Sequence, residues 1–316
     1  MKLSFTEYAT LKDYRATELI EKQIVYGNGG SYGQIVFLAG GAGSGKGFAI
    51  KNFMRWQDFK KFDVDELKTA FQELDRLGKF TTKDLLDKYG KNISAKDMEH
   101  IQKHVLDKGY GLKDLNLKTS AHVAALHIFV RATGAKNKVL DLVLQGAEKD
   151  RLPNLLFDST FKDLDDLNTI IPLAINAGYL PKNIHLTWIL TNYEIAIKNN
   201  KSRSRVVPDD ILLATHRGAA STVYNLIYKG VPAEIDGGIY VVLNNPENTI
   251  YIKDPKTGKP YKNLKGDMIV KDFKYLNFKD PGKPAKKEIE LKKQLLQWIQ
   301  NNVPPNSLDT SDFDNL

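Results

Sequence analysis

Five short stretches of the chain set its hydrophobic pattern. Gln34–Ala39 (QIVFLA) is apolar almost without interruption, and Asn154–Asp158 (NLLFD), Ile184–Leu190 (IHLTWIL) and Gly238–Leu243 follow it as further strands, with a weaker one at Phe59–Asp63 (FKKFD). Continuous apolar runs of this length predict strands covered on both faces. Between them the pattern changes to helical spacing. Glu7–Tyr26 places apolar residues at Tyr8, Leu11, Tyr14, Leu19, Ile20 and Ile24, and Asn28-Gly29-Gly30-Ser31 breaks it. Helices are expected at Phe48–Trp56, Ser120–Arg131, Lys138–Gly146, Leu164–Ala177 (closed by Gly178) and Pro208–Tyr228, with an amphipathic one at Lys286–Asn301. Glu66–Asp107 is polar and Lys-rich, helical in pattern, with breaks near Gly78 and Gly90. Thr249–Tyr261 reads as a hairpin turning around Asp254–Gly258. Strands alternating with helices predict an α/β fold, a parallel sheet with helices on both faces. No internal repeat is apparent.

The turn after the first strand is Gly40-Gly41-Ala42-Gly43-Ser44-Gly45-Lys46-Gly47, with Phe48 opening the next helix. Gly40, Gly45 and Lys46 fit G-x-x-x-x-G-K between a buried strand and a helix, the context that a phosphate-binding loop requires. Glycines let backbone N–H groups close on phosphate oxygens, the helix start adds its positive end, and Lys46 can place an ammonium between the β- and γ-phosphates. One position departs. Where Ser or Thr would ligate Mg²⁺, this chain has Gly47. Mg²⁺ needs only one or two carboxylates besides phosphate and water, so Asp63, Asp65 and Asp158 are candidate substitutes and Ser44 a weaker one.

Carboxylates at the ends of strands face the ligand crevice of an α/β sheet. Asp63 and Asp65 in FDVDELK suit a kinase's need for a group that accepts the acceptor's proton; an acidic cap on the helix from Glu66 is the other reading. Asp158 ends its strand as a carboxylate for Mg²⁺ or its water would, while Ser159 and Thr160 also suit a helix cap. Arg203 and Arg205 lie in the basic segment Asn199–Pro208, where a mobile lid could close on a migrating phosphoryl group. His100 and His104 stand at i, i+4 without a zinc-protease context, and they, His185 and His216 are read as structural or surface residues.

Composition narrows the chemistry. The 316 residues contain no Cys, which removes disulfides, thiolate metal sites and a Cys nucleophile. There is no G-x-S-x-G element. No apolar run is long enough for a membrane span, and the N-terminus lacks a signal-peptide core, so a cytoplasmic protein is expected. The net charge is +8, and Tyr251–Gln300, with 13 lysines and six acids, carries +7 of it. Such a region could attract nucleic acid, or be a solvated Lys-rich surface; Arg, the bidentate reader of phosphate, is absent from it.

Four pieces together resemble the zeta-toxin family of P-loop kinases: LAGGAGSGKG, FDVDELK, PNLLFDSTFKDLDDLNTIIPLAINAGY and IHLTWILTNYEIAIKNNKSRSRVVPDDI. The resemblance spans about Ile35 to Asn244. It implies a P-loop NTPase fold whose central parallel sheet is flanked by helices, with a helical insert and a small C-terminal extension. The implied division is an N-terminal helix over 1–30, a core over 31–245 with an insert at about 66–120 and a lid at about 196–208, a basic extension over 246–303, and an acidic, disordered tail over 304–316. By position it makes Lys46 the phosphate-binding lysine, Asp65 the general base, and Arg205 and Arg203 the lid arginines. Gly40, Gly41, Ala42, Gly43, Ser44, Gly45, Gly47 and Phe48 join Lys46 around the nucleotide. Asp63, Thr160 and Lys162 fall at the substrate edge, and Asp158 and Asp63 at the metal. The implied cofactors are ATP or GTP and Mg²⁺. The implied acceptor is a hydroxyl of a nucleotide-containing molecule, with a nucleic-acid hydroxyl as the next choice. Lys162 stands where the family often has Arg, and the long polar insert falls where the acceptor should sit.

Overall fold

The computed structural model describes residues 23–26, 32–54, 59–145, 151–203, 206–262 and 268–305, and all their side chains except those of 64, 65 and 145. Most of the helix expected over Glu7–Tyr26, and the acidic tail from 306 onward, lie outside the described residues.

A seven-stranded sheet organises the chain. Its strands are β1 (Ile35–Ala39), β2 (Phe59–Asp63), β3 (Asn154–Asp158), β4 (Ile184–Leu190), β5 (Ile239–Leu243), β6 (Thr249–Tyr251) and β7 (Val270–Lys279), in the order β2-β3-β1-β4-β5-β7-β6. The first five run parallel. Burial follows position: every residue of β1, β4 and β5 is buried, whereas β2 at the edge exposes Lys60 and Lys61. That is why the central strands read as continuous apolar runs and β2 as a broken one.

Alternate residues of β1 enter different cores. Ile35, Phe37 and Ala39 face the larger one, which helices α7 (Asp165–Asn176), α9 (Asp209–Lys229) and α10 (Ile289–Asn302) cover with Ile170, Ala174, Ala220, Val223, Leu295 and Ile299. Val36 and Leu38 face the other, where α1 (Lys46–Phe53) packs Ala49, Ile50 and Phe53. A third core belongs to the helices between β2 and β3. Phe71 of α2 (Val64–Arg76), Leu85 of α3 (Thr82–Tyr89), Ile101 of α4 (Ala95–His104) and Phe129 of α5 (Ser120–Thr133) meet there, and α6 (Ala135–Gln145) returns the chain toward the sheet. The breaks expected at Gly78 and Gly90 separate α2 from α3 and α3 from the turn before α4. Thr81 caps α3 in a reciprocal box with Asp84, which holds the Asp84 carboxyl below its usual range through hydrogen bonds from the Thr81 backbone and hydroxyl.

Two features differ from the expected pattern. The sheet is not parallel throughout, because β7 runs antiparallel between β5 and β6. The sequence pattern does not predict β7: in VKDFKYLNFK the polar residues interrupt the apolar ones irregularly, and the lysines blend into a Lys-rich background. With β7 in the sheet and Leu295 and Ile299 in the larger core, residues 270–279 and 289–302 are built into the fold. The expected hairpin is a turn closed by a single bridge between Lys253 and Pro260, with the Asp254 carboxylate accepting from the Lys256 and Thr257 amides. No helix among the described residues is long and apolar enough to cross a membrane.

Candidate functional site

The sheet order places β1 between β3 and β4, so the chain leaves β1 for one side and later returns to the other. Ligands in open α/β sheets sit at the carboxyl ends of strands at such a reversal. Residues 40–45 occupy it. Gly43 and Gly45 hold φ of 75° and 78°, in the left-handed region, and Gly45 forms the N-cap of α1. The loop is also enclosed. A Cβ added at Gly41 would lie 2.2 Å from the His216 ring, and one at Gly43 would lie 2.3 Å from the Ala196 carbonyl oxygen.

Neighbouring elements hold this loop by three of its carbonyls and by the Ala42 amide. His216 Nε2 of α9 bonds the Ala42 oxygen at 2.9 Å, and the Thr215 hydroxyl accepts from the Ala42 amide at 3.0 Å. Thr191 Oγ1, just past β4, and Asn244 Nδ2, just past β5, each donate to the Ser44 oxygen at 2.7 Å. Asn199 Nδ2 of α8 (Tyr193–Lys201) reaches the Gly43 oxygen at 3.5 Å. The protein thus engages the loop's negative ends, while the first amides of α1 have no acceptor within their own helix. Lys46 Nζ donates to the Gly40 oxygen at 2.6 Å and spans the mouth of the loop. This arrangement is one that binds a polyphosphate.

The fold is α/β, a mostly parallel seven-stranded sheet flanked by helices, with a glycine loop of P-loop pattern between β1 and α1. No family model and no curated protein matches the sequence. Among solved structures, the chain overlaps an AvrRxo1-ORF1:ORF2 complex with ATP at 11% identity, covering 90% of this chain and 68% of that one with a TM-score of 0.42. It overlaps a structure from the PezAT chromosomal toxin–antitoxin system of Streptococcus pneumoniae at 13% identity, over 95% and 97% of the two chains with a TM-score of 0.37. TT1252 from Thermus thermophilus overlaps at 16% identity, over 68% and 90%, with a TM-score of 0.30.

Register brings the P-loop lysine and two carboxylates together. Asp158 pairs with Leu38 on one side and Asp63 on the other, so the ends of β1, β2 and β3 lie level. Asp158 Oδ1 is 3.8 Å from Lys46 Nζ. Its Oδ2 is 3.2 Å from Lys61 Nζ, which also donates to Asp63 Oδ2 at 2.9 Å. Burial works against the charge on Lys61, but Asp158 and Asp63 outweigh it and hold the ammonium's pKa above its usual value. Lys61 was not among the candidates from sequence; its only signal was the alternation Lys61, Asp63 on one face of β2.

The remaining candidates are placed as follows. Asp65 is the second residue of α2, and its side chain lies outside the described residues, as does the whole of Arg205. Arg203 is exposed just beyond α8, whose Ala196 and Asn199 rest on Gly43. Buried Asn200 ties the two ends of that segment, donating to the Val207 oxygen at 2.6 Å and accepting from its amide at 3.0 Å. The Thr160 carbonyl accepts from the Gly40 amide at 3.4 Å. Between Thr160 and Lys162, Phe161 takes a φ of 56° with its ring buried beside Phe37, a turn uncommon for a bulky residue. The Lys162 side chain is 63% exposed and pairs with Asp163 at 3.9 Å. Phe48 is partly buried and packs edge-on against Phe53 in the smaller sheet core.

The donor set does not fit a resident Mg²⁺. Gly47 offers no side-chain oxygen, the Asp63 and Asp158 carboxylates are engaged by Lys61, and the Ser44 hydroxyl is buried beneath Gly40. Among the described residues no three His, Cys, Asp or Glu side chains group as metal ligands.

Two buried histidines make stability depend on pH, His216 against the loop and His185 near the start of β4, at the opposite end of the sheet. Desolvation lowers the His216 pKa to about 4, opposed by the Ala42 carbonyl and aided by Lys46. Desolvation lowers that of His185 to about 3; its Nδ1 accepts from the Gly238 amide and its Nε2 meets the Gln34 oxygen. Both are neutral in the fold, whereas in the unfolded chain they gain protons below about pH 6.5. Stability is therefore full above that pH and falls as pH drops toward 4, by about 2 kcal/mol per histidine at pH 5. Urea midpoints between pH 7.5 and 5 should show this, and a flat profile would contradict it.

Proposed function

We propose that this chain is a P-loop kinase that transfers the γ-phosphoryl group of ATP or GTP to a hydroxyl of a nucleotide-containing acceptor. The observation that carries the reading is the meeting of Lys46, at the mouth of a rigidly held glycine loop, with the strand-end carboxylate Asp158, which lies level with Asp63. The loop amides and Lys46 would hold the β- and γ-phosphates. Asp65, two residues beyond Asp63 in the first turn of α2, would accept the acceptor's proton.

The acceptor oxygen attacks the γ-phosphorus in line with the β–γ bridging oxygen. The new P–O bond forms as the old one breaks, and the nucleoside diphosphate leaves with the electron pair. Charge develops on the migrating group, and Arg203 and Arg205, on the segment rooted by α8 on the loop, are placed in sequence to meet it. Thr160 and Lys162 would border the acceptor. The protein works in this reading by positioning and electrostatics. A nucleotide-binding protein without turnover is the second reading, and Gly47 favours it.

The test is label transfer from γ-labelled ATP or GTP to nucleotides and nucleotide sugars, DNA and RNA, offered separately. Label in one pool names the acceptor class; label in DNA or RNA moves the reading to a nucleic-acid kinase. Asp65→Asn is expected to lower transfer about 10²- to 10⁴-fold while nucleotide binding stays near wild type. Nucleotide binding with no transfer to any pool would establish the second reading.

A further inference from the structure

We propose that the Lys61 ammonium is the built-in cation of the Asp63–Asp158 carboxylate pair, standing where a P-loop enzyme would otherwise use a protein-held divalent ion. This deepens the kinase reading by stating how its site manages charge without a metal held by the chain. Asp63 and Asp158 face each other across the parallel ladder of β2 and β3, and like charges directly opposite repel. Lys61, two residues before Asp63 and on the same face of β2, lies 2.9 Å from one carboxylate and 3.2 Å from the other. The second oxygen of Asp158 lies 3.8 Å from Lys46. Lys46, Asp158, Lys61 and Asp63 thus form an alternating chain of charges that sums to zero. A divalent ion would have to displace an ammonium that already bridges both carboxylates, with Lys46 beside Asp158 supplying the second positive charge.

Gly47 supports the same conclusion independently. A Cβ built there meets nothing within 4 Å, so packing does not impose glycine where a hydroxyl ligand would belong. The chain lacks the hydroxyl although there is room for it, and carries a lysine between the carboxylates instead. The Lys61 side chain remains 35% exposed. Lys61 is a positioning residue: it fixes Asp158 and Asp63 relative to Lys46.

The experiment uses the full chain without nucleotide and titrates it with Mn²⁺, following free Mn²⁺ by electron paramagnetic resonance. Wild type should show no stoichiometric site below the millimolar range, whereas Lys61→Gln should gain one, with affinity raised about tenfold or more. Adding Asp158→Asn to that variant should remove the new site. A stoichiometric site in wild type that Asp158→Asn abolishes would overturn the proposal, and so would a folded Lys61→Gln variant with no gain. If Lys61→Gln does not fold, the wild-type and Asp158→Asn titrations decide by themselves. A parallel calorimetric titration with ATP should give wild-type affinities within about threefold in Mg²⁺ and in EDTA, and a loss of about tenfold or more in EDTA for Lys61→Gln. A wild-type loss of that size in EDTA would also overturn the proposal. ATP binding in neither buffer would refute the kinase reading, while the Mn²⁺ titration would still decide the role of Lys61.

Discussion

Lys46→Ala should lose phosphoryl transfer by about 10²- to 10³-fold or more, the scale of removing one preorganised charge from a developing anion. Nucleotide binding should fall with it. Lys46 stands at the mouth of the loop, 2.6 Å from the Gly40 oxygen and 3.8 Å from Asp158. It reaches the Gly40 and Gly41 carbonyls and the Asp158 carboxylate at the rim, and it fills no core. Thermal stability should therefore change little, so a folded, inactive protein is the expected result. Calorimetry with ATP, a melting curve and the label-transfer assay check the three parts. Wild-type affinity in Lys46→Ala would show that the glycine loop is not where nucleotide binds.

Gly43→Ala is the second large effect. A φ of 75° costs an L-residue about 1–2 kcal/mol, and the new methyl would lie 2.3 Å from the Ala196 backbone oxygen. Overpacking of that kind adds about 1–3 kcal/mol, and here α8 would have to move. Gly258→Ala separates the two causes: its φ is 69°, but a Cβ there meets nothing within 4 Å. Gly258→Ala should cost only the backbone part, about 1–2 kcal/mol, and leave nucleotide binding unchanged. Gly43→Ala should cost about 2–5 kcal/mol in all and shift Asn199 and the segment that carries Arg203. Urea denaturation measures the difference, and equal losses in the two variants would show that close approach to α8 plays no part.

The strand–loop–helix unit was legible because its causes are local. β1 is buried on both faces, so its sequence is apolar throughout. The glycines are required by backbone conformation and close approach. β7 was not legible. It lies in the antiparallel part of the sheet, where Lys271 and Lys274 reach solvent, and its lysines look like surface. Lys279 at its end is in fact buried, bonded to Asp236 at 2.7 Å. Thr215, His216, Asn199, Thr191 and Asn244 grip the loop from four separate elements, and no spacing along the chain announces such a set.

By itself the sequence determined that a glycine turn of phosphate-loop pattern follows the first buried strand, that the lysine of the pattern is Lys46, and that Gly47 stands where the pattern has Ser or Thr. These depend on neighbours within a few residues. Only the tertiary structure decided which charges meet. Asp63 and Asp158 come level through the register of two parallel strands, and that register puts Lys61 between them. Parallel pairing joins segments far apart in the chain, so its side-chain contacts are set by the packing of the whole sheet and have no local pattern.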